Sequence, residues 1–151
     1  GVFAYDRMEL VARVLAALGT RTSLVVHGRD GLDELSVCAL SDAVRVDGER
    51  LEHLEIDPVD LGLSLHHAED LRGGDAATNA AIIHAVLEGE RGARRDITVL
   101  NAGAALWIGD HARDLREGVE RAAAAIDDGS ARELLDRWVE FTRGRGDEAV
   151  A

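Results

Sequence analysis

Apolar and polar positions alternate along the chain with two periods. The helical one starts at once. In "DRMELVARVLAALG", residues 6–19, Val11, Val14, Leu15 and Leu18 recur at helical spacing, and Gly19 is a natural stop. Asp6 and Glu9 have the spacing of a capping box, with Asp in the place of the usual hydroxyl residue. "TSLVVH", residues 22–27, then reads as a short strand that is apolar on both faces. "AVRVDGERLEHLEI", residues 43–56, has the alternation of a hairpin, with Asp47-Gly48 at or near its turn. Four helices follow. "GGDAATNAAIIHAVLEGERG", residues 73–92, has a cap at Asp75 and stops near Gly89 or Gly92. "RDITVLNAGAALWIG", residues 95–109, is apolar on almost every side and predicts a buried helix, whose small residues 102–105 admit a neighbouring backbone. "ARDLREGVERAAAAIDDG", residues 112–129, is amphipathic through Leu115, Val119, Ala122 and Ile126. "SARELLDRWVEFTRG", residues 130–144, opens on a Ser130-x-x-Glu133 capping box and should turn Leu134, Trp138 and Phe141 inward. Residues 144–151 read as a polar, frayed tail.

This pattern contains a mismatch. A strand buried on both faces normally lies inside a parallel sheet, with neighbours on both edges. The hairpin can supply one neighbour and the other edge has none. We therefore expect residues 1–143 to be part of a larger α/β domain, helix-rich with a few strands, or the open edge to be covered by something else. If that edge is bare, an edge-paired or swapped oligomer is expected.

Composition narrows the chemistry. Hydrophobic residues make up 46% of the chain and aromatic residues only 3%, so the core must be aliphatic and alanine-rich. The net charge of 17 − 29 = −12 argues against nonspecific binding to nucleic acid or to an anionic membrane. All 17 basic residues are arginine, which excludes a Schiff-base or P-loop lysine from this chain. The single cysteine, Cys38, has no internal disulfide partner and suits a reducing cytoplasm. No apolar run approaches the about 20 residues of a membrane span. The opening "GVFAYDRMEL" lacks both signal-peptide character and an initiating methionine, and is expected to lie within a longer protein.

In open α/β sheets, ligands bind beyond the C-terminal ends of parallel strands. "HGRDGLDE", residues 27–34, leaves the strand candidate there, and Gly28 and Gly31 let the backbone turn sharply. Asp33 and Glu34 supply hard oxygen ligands suited to Mg²⁺, against the alternative of a solvated acidic turn. In "RGGDAATN", residues 72–79, two glycines precede a helix start, but without a full phosphate-loop pattern a cap at Asp75 is favoured over phosphate binding. In "HHAED", residues 66–70, the adjacent side chains of His66 and His67 diverge, so a surface loop or helix start is expected. His84 reads as a packed or rim histidine and Cys38 as a small buried hydrophobe. Asn101, inside a buried helix, requires a hydrogen-bond partner and is given a structural role.

"VVHGRDGLDELS", residues 25–36, followed by "LRGGDAATNAAIIHAVLEGERGARRDITVLNAGAALWIGD", residues 71–110, resembles the C-terminal half of the anthranilate phosphoribosyltransferase family. The likeness runs from "GVFAYD" to the last helix, and is weakest at residues 35–45. It implies the α/β phosphoribosyltransferase domain of the nucleoside phosphorylase and anthranilate phosphoribosyltransferase type. It also implies transfer of a phosphoribosyl group from phosphoribosyl pyrophosphate to the amino nitrogen of anthranilate, in tryptophan biosynthesis. By the same resemblance, Asp33 and Glu34 correspond to the acidic pair that binds Mg²⁺, and the intact enzyme is a cytoplasmic homodimer. The family's "GTGGD" and "KHGN" segments, its anthranilate-contacting arginine and its N-terminal helical domain have no counterpart here, so the chain alone is expected to be inactive. The other readings are a related pyrimidine nucleoside phosphorylase and a noncatalytic interaction module.

Overall fold

The computed structural model describes the backbone of residues 1–148 and the side chains of residues 1–144. Three strands form one sheet in the order β1 (Thr22–Gly28), β2 (Ser41–Asp47) and β3 (Arg50–Ile56). The described residues also form five α-helices: α1 (Met8–Ala17), α2 (Ala76–Leu87), α3 (Ala93–Ile108), α4 (Leu115–Asp127) and α5 (Ser130–Glu148). The hairpin forms where the alternation places it, with Asp47 opposite Arg50 across the Gly48-Glu49 turn. Both strand pairs are antiparallel. That corrects the expectation of a parallel neighbour for β1 among the described residues. The reason is the link between β1 and β2, residues 29–40, which contains no helix and reverses direction as an irregular loop.

The strand is nevertheless buried on both faces. Val25 joins Val44 and Val46 under Met8 and Ala12 of α1. Val26 and Ala43 face the other way, with Leu35 and Val37, into a larger core built with Val99, Leu100 and Ala104 of α3 and Val119, Ala122 and Ile126 of α4. The result is three layers: α1, the sheet, then α3 with α4. β1 stands at one margin of the sheet. On its outer side the Val2 N–H donates to the Val26 carbonyl at 2.9 Å.

The small residues of α3 allow the tightest helix contact. A β-carbon added at Gly103 would lie 2.6 Å from the Val119 nitrogen, and one added at Gly118 would overlap the Gly103 carbonyl oxygen. Arg95, only 4% exposed, ties the start of α3 to the end of α4 by donating to Asp127 at 2.7 Å.

Several local expectations need correction. Neither capping box forms. Asp6 lies within a single 3-10 turn, Tyr5–Arg7, ahead of α1. Ser130 is the first residue of α5, and its hydroxyl donates to the Ala125 carbonyl instead of accepting a backbone N–H. In α1 Met8 and Ala12 are buried and Val11 and Leu15 of the expected stripe pack against the same core, while Val14 and Leu18 are exposed. In α3, Ala102 and Ala105 reach solvent. Cys38 is half-buried, and that burial pushes its thiol pKa up. The inward set on α5 is wrong: Leu134, Trp138 and Phe141 are 58%, 65% and 58% exposed. Periodicity identifies an apolar face but does not say which chain covers it. The presumed tail is helical as far as Glu148, and residues 149–151 lie outside the described residues.

Candidate functional site

The loop that leaves β1 is a preformed structure. Gly31 adopts φ +99°, a backbone conformation that side-chain-bearing residues rarely take. A β-carbon at Gly28 would lie 2.6 Å from the Asp30 carboxylate and 3.2 Å from the Glu34 carbonyl oxygen, so a side chain there would push the Asp30 carboxylate out of the turn. Asp30 spans the turn. One carboxylate oxygen accepts the Leu32 N–H at 3.3 Å, and the other accepts the Ser36 hydroxyl at 2.6 Å. Ser36 Oγ in turn accepts the Cys38 N–H, and Ser41 Oγ accepts the Ser36 N–H, both at 2.9 Å. Leu35, Ser36 and Val37 are buried, so the loop's second half belongs to the core.

Asp33 and Glu34 stand at the crest. Both are exposed, and neither carboxylate has a hydrogen bond or ion pair among the described residues. Glu34 also lines a cavity of about 360 Å³ formed with Leu32, with Ile82, Ile83 and Val86 of α2, and with Arg94 and Ile97 of α3. Two adjacent free carboxylates on a fixed turn fit the demand of Mg²⁺ for hard oxygen donors. No group of three or more His, Cys, Asp or Glu side chains converges among the described residues.

The base of the loop is pinned by Arg29. Its Nε and Nη2 donate to the two Asp42 oxygens at 2.9 and 2.7 Å, and Nη2 also reaches Glu55 at 2.6 Å. The guanidinium holds the Asp42 carboxyl below its ordinary value, against the opposing effect of burial. A carboxylate with a depressed folded pKa contributes stability that is present above its unfolded pKa and is lost as pH falls through the folded one. Asp42→Asn should therefore cost stability at pH 7, and the gap from the parent should close below about pH 4. Urea unfolding of both proteins between pH 7 and pH 2 measures it. A gap that persists unchanged to pH 2 rules out a charge-based contact.

The other candidates fall where ordinary roles place them. Asp75 caps α2 by accepting the Thr78 N–H at 2.8 Å, and the Asn79 amide closes on Gly74. His66 pairs with Asp96 at 2.7 Å, while the His67 main-chain N–H donates to Asp70 at 3.2 Å at the start of the 3-10 turn Ala68–Leu71. His84 is exposed on α2. Asn101 finds its partners on the loop: Oδ1 accepts the Leu35 N–H at 3.0 Å and Nδ2 donates to the Leu35 carbonyl at 2.9 Å. Sequence reading flagged Asn101 as needing a partner but not which one, since the partner lies 66 positions away. It missed Asp30, Ser36, Ser41 and Arg29 altogether. The short polar Asp30 before Gly31 was the available signal of a side-chain-stabilised turn.

Comparison with known proteins gives a consistent result. A sequence model of the glycosyl transferase family, a/b domain, matches residues 1–132. The anthranilate phosphoribosyltransferase of Azorhizobium caulinodans is 48% identical over 143 residues, which is 95% of this chain and 42% of that protein. The protein of the same name from Methylobacterium radiotolerans is 51% identical over 139 residues, covering 92% of this chain and 40% of its own length. The crystal structure of anthranilate phosphoribosyltransferase from Thermus thermophilus superposes with a TM-score of 0.87 at 35% identity, over 95% of this chain and 42% of that one. The Saccharomyces cerevisiae enzyme, solved in complex with PRPP and Mg, shares the fold with a TM-score of 0.84 at 22% identity, over 93% of this chain and 41% of that one. The chain thus spans about two fifths of the length of the relatives it matches.

Proposed function

This chain belongs to the glycosyl transferase family through its a/b domain, and on that premise we propose that it forms the C-terminal portion of an anthranilate phosphoribosyltransferase. Residues 1–143 would be part of the catalytic α/β domain and residues 144–151 a C-terminal extension. The outer side of β1 is where the remainder of the sheet would add. The observation that carries the reading is the "GLDE" loop, which presents Asp33 and Glu34 unpaired at the end of a doubly buried strand.

In the reaction, the anthranilate nitrogen forms a bond to ribose C1 while the bond from C1 to the pyrophosphate oxygen breaks. The amine gives up one proton and pyrophosphate departs, leaving N-(5-phosphoribosyl)anthranilate. Mg²⁺ bound by Asp33 and Glu34 would supply charge neutralisation for the departing pyrophosphate. The chain's own part is to keep those two carboxylates in place, through the Gly28–Gly31 turn, the Asp30–Ser36 bond and the Arg29 anchor. Acceptor recognition and the main pyrophosphate-binding segment would come from sequence outside this chain. The intact enzyme would be a cytoplasmic homodimer; no helix of the described residues is long and apolar enough to cross a membrane.

The test follows anthranilate fluorescence with phosphoribosyl pyrophosphate and Mg²⁺. The chain is assayed alone and together with the N-terminal portion of a relative such as the Thermus thermophilus enzyme. Activity only on complementation supports the proposal. Turnover by the isolated chain contradicts the division of labour, and no activity from a folded, associated pair contradicts the function.

A further inference from the structure

We infer that Asn101 of α3 is the positioning residue for the Asp33–Glu34 pair, an inference that rests on reading those carboxylates as metal ligands. A peptide unit is rigid and planar, so a hydrogen bond to one end of it orients both flanking Cα atoms. The two peptide units that bracket the pair are both held. Before it, the Leu32 carbonyl accepts the Gly28 N–H at 2.8 Å, which fixes the plane leading into Asp33. After it, the Leu35 N–H, in the same plane as the Glu34 carbonyl, donates to Asn101 Oδ1 at 3.0 Å. The first anchor is local to the turn. The second crosses from another layer of the fold.

The geometry fixes the direction of the carboxamide. Nδ2 donates to the carbonyls of Leu35 at 2.9 Å and Ile97 at 3.0 Å, so both of its hydrogens are used. A flipped amide would set oxygen against two carbonyl oxygens and nitrogen against an N–H. Asparagine is therefore matched to both main-chain groups of Leu35 at once. α3 is a firm base for it, because neighbouring Leu100 is fully buried and Gly103 sits hard against α4. Partners that orient metal ligands without touching the metal typically change metal affinity by about 10–100-fold.

The experiment uses Mn²⁺ alone as the probe, titrated into the chain and followed by water-proton relaxation. Asp33→Asn, Glu34→Gln, Asn101→Leu and Asn101→Ser are compared with the parent, and circular dichroism establishes which are folded. Hydrogen exchange of the Leu35 amide is measured in the parent. We expect the parent to bind, the carboxylate variants to lose binding, and the folded Asn101 variants to weaken it about tenfold. The Leu35 amide should exchange far more slowly than the Asp33 and Glu34 amides. Folded Asn101 variants with parental affinity would sink the positioning role while leaving the metal reading intact. If neither variant folds, the exchange data decide, and a Leu35 amide as fast as its neighbours overturns the inference. A parent that binds no Mn²⁺ overturns the inference, while the metal reading is decided separately by the Mg²⁺-dependent turnover of Glu34→Gln in the complemented enzyme.

Discussion

Glu34→Gln should lower Mg²⁺-dependent turnover of the complemented enzyme by at least about 100-fold. A metal that neutralises a departing pyrophosphate is worth several kcal/mol of transition-state stabilisation, and each 1.4 kcal/mol is about tenfold in rate. The amide keeps the shape of the side chain and removes its charge. Because Glu34 carries no hydrogen bond or ion pair among the described residues, the substitution breaks nothing in the fold. Its cost should therefore appear in activity and not in thermal stability. Asp33→Asn should behave alike, and the apparent Mg²⁺ requirement should rise in both. Glu120→Gln, which removes an exposed carboxylate of α4, controls for the change in net charge. Parental turnover in Glu34→Gln, at the same Mg²⁺ dependence, would take this loop out of the chemistry.

What the sequence revealed and what it hid divide along one physical line. Features set by near neighbours in the chain were legible. The hairpin needed only alternation around Asp47-Gly48, and the α2 cap needed only Asp75 three residues before Thr78. The stripe through Val119, Ala122 and Ile126 followed from helical period alone. Features that depend on a distant partner were not. Leu134, Trp138 and Phe141 share a face, which says apolar surface must be covered, but the described residues leave it exposed. The same holds for the first half of α2: residues 76–81 are all exposed although most are small or apolar. Such surfaces fit a chain whose relatives are more than twice its length. The candidate site was divided in the same way. Asp33 and Glu34 could be named from a strand end, a glycine-spaced turn and a family resemblance. The means of holding them could not, because Asn101 and Arg29 act through contacts with no signature in local spacing.

The α3–α4 seam offers the sharpest test of the fold, because two general effects oppose each other there. Glycine inside a helix costs about 1 kcal/mol relative to alanine, so Gly118→Ala should stabilise α4 on propensity alone. The packing predicts the reverse. The new β-carbon would overlap the Gly103 carbonyl oxygen and sit 2.9 Å from its carbon, both backbone atoms with no rotamer to relieve them. The helices would have to separate by about an ångström to restore ordinary van der Waals spacing. That opens the core between Leu100, Ala104, Val119 and Ala122, where overpacking typically costs about 1–3 kcal/mol and a rigid backbone clash lies at or above the upper end. Gly118→Ala should thus lower the chain's stability by about 2 kcal/mol or more, read as a lower urea midpoint at unchanged slope. Gly103→Ala should do the same, since its β-carbon would lie 2.6 Å from the Val119 nitrogen. Gly144→Ala on α5, where nothing lies within 4 Å, isolates the propensity effect and should leave the midpoint level or slightly raised. A Gly118→Ala protein as stable as its parent would mean that α3 and α4 do not touch as closely as this. The loss would reach the candidate site as well, because α3 is the element that carries Asn101 to the loop. If the seam sets the height of α3 against the sheet, folded Gly118→Ala should also show faster exchange at the Leu35 amide. That result would link a backbone contact between two helices to the aim of the carboxylates on the far side of α3.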